Sequence, residues 1–89
     1  MRSIEELRKI IYDQKASYVD VWWAASELCG LSDASYPDLL QCLKLGGVAA
    51  SQAACALYVR TKRARRTDEQ LVTDVDDWRL YLAQHGLLG

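Results

Sequence analysis

Eighty-nine residues are enough for one domain with a thin core, since a chain this short buries only about 60–65% of its unfolded surface. Hydrophobic residues make up 51% of the chain and charged residues 26%, which excludes an intrinsically disordered chain. The formal net charge of −1 opposes long-range attraction to a polyanion, and no apolar run comes near the ~20 residues that cross a bilayer. Arg2, Glu5, Glu6, Arg8, Lys9 and Asp13 leave no room for a secretory signal at the start. The expectation is one cytoplasmic domain over residues 1–89.

Taken in order, the segments read as helices. Ser3 is a cap for a first helix whose apolar positions Ile4, Leu7, Ile10 and Ile11 fall three and four apart, with Glu5 and Glu6 in its first turn. Ser17 followed by Asp20 is a variant capping box that would start a second helix at Tyr18. Ile4, Leu7, Ile11, Tyr18, Trp22, Ala25 and Cys29 also keep one phase, so a single long helix over residues 4–29 is the alternative. Gln14 and Lys15 interrupt the stripe and favour a break at Ala16–Ser17. Gly30 is expected to end this region as a left-handed terminator.

Ser35, Pro37 and Asp38 mark the start of the next helix: a serine cap, a proline in the first turn and an acid three residues after the cap. The Gly46-Gly47 pair stops it. An alanine-rich helix should then run from Val48 to Arg66, its small side chains letting a neighbour approach closely. Thr67-Asp68-Glu69-Gln70 reads as a capping box for a last helix whose stripe is Leu71, Val75, Trp78, Leu82 and His85, ended by Gly86 with Leu87 or Leu88 folding back. The fold class is therefore all-α: a compact bundle of four or five short-to-medium helices.

Chemistry is sparse. The single histidine, His85, sits at a helix end, and the acids Asp74, Asp76 and Asp77 read as a solvated face. No nucleophile elbow, phosphate loop or paired metal-binding histidines occur, so no catalytic residue is assigned and the chain is read as a non-enzyme. Cys29, Cys42 and Cys55 are spaced evenly by 13 positions, one on each of three expected helices. Structural zinc sites pair their ligands two to four residues apart. A zinc site made with His85 is therefore set aside, no metal or cofactor is expected, and the thiols are read as buried and unreactive in a reducing compartment.

Two features point outward. Trp22 and Trp23 diverge by ~100° on a helix, so one is expected in the core and the other at its edge or surface. With Tyr18 they form the candidate protein interface, because tryptophan, tyrosine and arginine are the usual interface anchors. The second feature is charge segregation. Residues 60–66 carry Arg60, Lys62, Arg63, Arg65 and Arg66 and no acid, whereas residues 67–89 carry five acids against Arg79 alone. That basic run either pairs with the acidic helix after it or binds phosphate. The first functional reading is a small regulatory or adaptor protein that binds a cytosolic protein or a second copy of itself. The alternative is a helix-turn-helix-like nucleic-acid-binding regulator using residues 48–66, although the N-terminal part of that helix offers mostly alanines to base edges.

Overall fold

Serine caps set the first three helices of the chain. The computed structural model describes residues 3–13, 15–31, 34–63 and 72–88, and among them are five helices and no strand. Helix α1 spans Ile4–Tyr12, α2 Tyr18–Gly30, α3 Tyr36–Leu45, α4 Gly47–Thr61 and α5 Val75–Gln84. Ser3, Ser17 and Ser35 each accept a hydrogen bond from the backbone N–H three residues on, satisfying one of the amides that every helix start leaves unpaired. The continuous-helix alternative for residues 4–29 is thus overturned. The chain leaves α1 at Asp13, whose backbone is extended, and Ser17 starts a new helix.

Alanine sets the spacing of the bundle. α4 buries Ala49, Ala50, Ala53 and Ala54 with Leu57 and Tyr58, and α2 faces the core with Ala24, Ala25 and Leu28. These small faces bring backbones close, and larger side chains from the flanking helices fill the rest: Leu7 and Ile11 of α1, Leu39, Cys42 and Leu43 of α3, Trp78 and Leu82 of α5. Trp78 is the bulkiest fully buried side chain. Its indole N–H donates to the Val72 carbonyl at 2.7 Å, so its polar edge is satisfied inside the core. Tyr58 meets its ring edge-on, with centroids 5.0 Å apart. The principal extents are 33 × 27 × 21 Å.

Three boundaries differ from expectation. Gly30 is the last residue of α2 and has no positive φ; Leu31 caps the helix in an extended conformation, its N–H returning to the Leu28 carbonyl. Helix α4 ends at Thr61, with Lys62 taking the left-handed cap position at φ 55°, short of the Arg66 boundary. Residues 72–74 are non-helical, and α5 starts after Asp74, whose carboxylate accepts from the Asp77 N–H at 2.9 Å. The Thr67–Gln70 box and Leu71 lie outside the described residues. The end of α5 follows expectation: Gly86 is left-handed, its N–H bonds to Ala83 and that of Leu87 to Leu82, and Leu88 packs on the core.

An ion pair joins α1 to α3. Asp38 is 4% exposed, and Arg8 Nε donates to its Oδ2 at 2.7 Å while the Ser35 hydroxyl donates at 2.9 Å. The Asp38 carboxylate beside it raises the pKa of the Arg8 guanidinium. The acid that spacing placed three residues after the Ser35 cap therefore also anchors a neighbouring helix.

Candidate functional site

The aromatic residues of α2 are displaced from the core by the alanines that face it. Helical residues are separated by ~100° around the axis. With Ala24, Ala25 and Leu28 inward, Trp22 falls at the edge of the buried face and Trp23 and Val19 fall on the outer side. This corrects the expectation that one of the two tryptophans is in the core: Trp22 is half-buried, Trp23 is 52% exposed, and Trp78 occupies the core instead. The Trp22 and Trp23 rings lie against each other at 4.5 Å between centroids. Tyr18, at 69% exposed, stands one turn before Trp22.

Trp22 also lines a groove. About 300 Å³ of space lies between the first turns of α2 and the corner where α3 meets α4, with Tyr18, Val21 and Trp22 on one side and Leu45, Gly46 and Ala49 on the other. Gly46, at φ 77°, and Gly47, at φ 57°, make this corner; a Cβ on Gly47 would come within 3.1 Å of the Tyr18 hydroxyl. Leu45 of this lining is exposed, and Asp13 adds a carboxylate to it. The Trp22 Nε1 is buried and has no acceptor among the described residues. An unpaired buried donor costs free energy unless a partner group or water supplies the acceptor. Sequence reasoning named Tyr18, Trp22 and Trp23 but missed Leu45 and Ala49, which only the tight α3–α4 corner brings to them.

The basic run divides by environment. Arg60 turns back from α4 and donates to the carbonyls of Leu31 and Ala34, holding the segment between α2 and α3. Arg63 pairs with Asp77 at 2.9 Å and lies over the rings of Trp78 and Tyr81, 4.8 and 4.6 Å from their centroids. Lys62 is exposed. Arg65 and Arg66 lie outside the described residues.

The acids and the histidine have local partners. Asp74 caps α5, Asp76 pairs with Arg79 at 3.3 Å, and Asp77 holds Arg63. His85 is exposed rather than part of the apolar stripe; its ring stacks on Tyr81 at 4.1 Å, and Nδ1 lies 2.9 Å from the Tyr81 carbonyl. Among the described residues no group of histidine, cysteine and acid side chains could hold a metal ion. The cysteines fall on α2, α3 and α4 as expected, but only Cys42 is buried: Cys29 is half-buried and Cys55 exposed.

The chain matches no protein-family model, no curated protein and no solved structure. Among the described residues no helix is long and apolar enough to cross a membrane.

Proposed function

We propose that this protein is a small non-enzymatic regulatory or adaptor domain that captures an apolar segment of a larger cytosolic protein in the groove beside Tyr18 and Trp22. The observation that carries this reading is the Trp22 indole, half-buried in a largely apolar groove, with exposed Tyr18 lining the same groove and the exposed Trp23 ring against it. The rings of Tyr18 and Trp23 provide contact area for a docked segment at low entropic cost. Asp13 lines the groove, the exposed Asp20 stands in the first turn of α2, and α2 carries no cation. That charge favours a segment with lysine or arginine beside its apolar residues, and it disfavours two copies meeting α2 to α2.

The alternative, nucleic-acid binding through residues 48–66, has less to build on. Arg60 and Arg63 are engaged within the fold, and Gly46 alone separates α3 from α4, a tighter joint than the three- or four-residue turn of a helix-turn-helix.

A screen of random peptides displayed on phage tests the proposal. Enriched peptides should be apolar with flanking basic residues, and they should lose binding to Tyr18→Ala and Trp23→Ala proteins whose helical circular dichroism is unchanged. Trp22→Ala, which removes the ring that lines the groove, should weaken them about tenfold or more. Absence of enrichment, or enriched peptides indifferent to all three substitutions, overturns the proposal. Retention of duplex DNA with a steep salt dependence would favour the alternative.

A further inference from the structure

A second groove lies between α3 and α5. It holds about 330 Å³, with Pro37, Leu40, Val75 and Leu88 as its apolar lining and Lys44 and Arg79 as its charged lining. Among the described residues no acid lines it. Pro37, Leu40 and Lys44 stand three and four positions apart and so share one face of α3, with Lys44 at the end next to Leu45. Lys44 is exposed and makes no ion pair among the described residues. Arg79 pairs with Asp76 at 3.3 Å, but both side chains are mostly exposed, and such a pair is easily exchanged for another.

The outer face of α2 is opposite in charge and in shape. Val19 and Trp23 lie one helical turn apart and are 57% and 52% exposed. Asp20 stands beside them in the first turn, exposed and also without an ion pair among the described residues. The Trp23 ring leans on Trp22, which holds it in place while half of it meets solvent. The chain therefore carries a protruding apolar face with an unpaired carboxylate, and an apolar groove with an unpaired ammonium and room for one aromatic side chain. The two border one corner of the bundle, because Leu45, the residue after Lys44, lines the Trp22 groove across from Tyr18.

We propose that these two surfaces meet between two copies of this chain, with Trp23 of one copy entering the α3–α5 groove of the other and Asp20 pairing with the partner's Lys44. A two-fold axis at the shared corner makes both contacts at once, so the assembly closes as a dimer. Burial of the ring supplies contact area, and the charge pair fixes the register. The arrangement sets α2 against α3 and α5, so the acids of the two α2 helices do not face each other. It also covers Trp23, so the dimer and a segment captured beside Trp22 exclude one another. The dimer itself does not rest on that capture.

Sedimentation velocity of the full chain, from micromolar to millimolar concentration, tests the proposal. The expected result is a monomer–dimer equilibrium that moves toward monomer as salt is raised. Asp20→Lys and Lys44→Glu should each weaken the dimer about tenfold or more, since each sets like charges opposite one another in both contacts. Mixing the two variants should restore it, because every charge then meets its opposite, and the Asp20→Lys/Lys44→Glu double variant should dimerise by itself. Both residues are exposed, so far-ultraviolet circular dichroism should be unchanged. Should Lys44→Glu not fold, Arg79→Glu reverses the other cation of the groove and should weaken the dimer likewise. A monomer at every concentration, a dimer indifferent to the reversals, assemblies larger than a dimer, or no rescue in the mixture and the double variant each overturns the proposal. No peptide enters these measurements, so their failure is separate from failure of capture at the Trp22 groove.

Discussion

The Arg8 guanidinium reaches from α1 to the Asp38 carboxylate at the start of α3, 30 positions along the chain, and bonds to it at 2.7 Å. Arg8 is partly exposed and Asp38 is not, so the pair is asymmetric: the acid depends on the base. Asp38→Ala should cost about 1.5–3 kcal/mol, the range for hydrogen bonds to a buried charged group. Arg8→Met should also destabilise, because it leaves the carboxylate buried and unpaired, and Asp38→Asn should remove most of that loss in the double variant. Urea unfolding of the wild type, Arg8→Met, Asp38→Asn and the double variant measures the coupling; additive effects would mean the contact contributes nothing of its own.

Gly30 supplies a prediction opposite to the usual one for a glycine at a helix end. Its φ is not positive, and a Cβ built on it meets nothing within 4 Å. Gly30→Ala should therefore raise stability by about 0.4–1 kcal/mol, chiefly by restricting the unfolded chain. A lower thermal midpoint would contradict this.

Gly47 should behave in the reverse manner. At φ 57° an alanine there takes a left-handed conformation costing roughly 1–2 kcal/mol, and its Cβ presses on the Tyr18 hydroxyl. Placing Gly47→Ala on a Tyr18→Phe background should recover the steric part and leave the backbone part. Denaturation midpoints of the single and double variants separate the two.

Trp78 and Trp23 should divide sharply. Trp78→Ala removes a fully buried ring and should cost about 3–5 kcal/mol, a large share of the 5–15 kcal/mol that holds a typical domain folded. Trp23→Ala should stay within about 0.5 kcal/mol, as surface substitutions do. Thermal melts followed by far-ultraviolet circular dichroism compare them directly.

Arg63→Lys tests whether a point charge suffices between Asp77 and the rings of Trp78 and Tyr81. Lysine keeps the charge but loses the planar group that stacks, so a loss of about 0.5–1 kcal/mol is expected, with little relief from added salt. Equal stability would assign the whole effect to charge.

Local chemistry made much of this fold legible. Ser3, Ser17 and Ser35 act through the amide three residues away, and Gly46 and Gly86 act through their own dihedral angles, so short windows of sequence contain the cause. The misreadings arise where the cause is distant. The chain leaves Gly30 at an extended Leu31 whose carbonyl Arg60 holds from α4, and no nearby residue signals that. The end of α4 at Thr61 breaks a helical composition that continues through Arg66. For the candidate site, Tyr18, Trp22 and Trp23 stood out by residue type. Assigning a tryptophan of α2 to the core failed because the apolar stripe could be drawn through Trp22, whereas packing against α4 selected the alanines.

The alanines of that seam carry no side-chain rotamers to be frozen when the chain folds, so α2 and α4 associate without the entropic penalty that leucines would add. The same seam has no slack. Leucine can change rotamer to admit a neighbour, but a methyl group has nowhere to swing, so each added carbon at Ala24, Ala53 or Ala54 must move a helix. A change that lifted α2 outward would carry Trp22 with it. The small side chains of this seam thus help to set where the Trp22 side of the groove stands relative to Ala49 of α4.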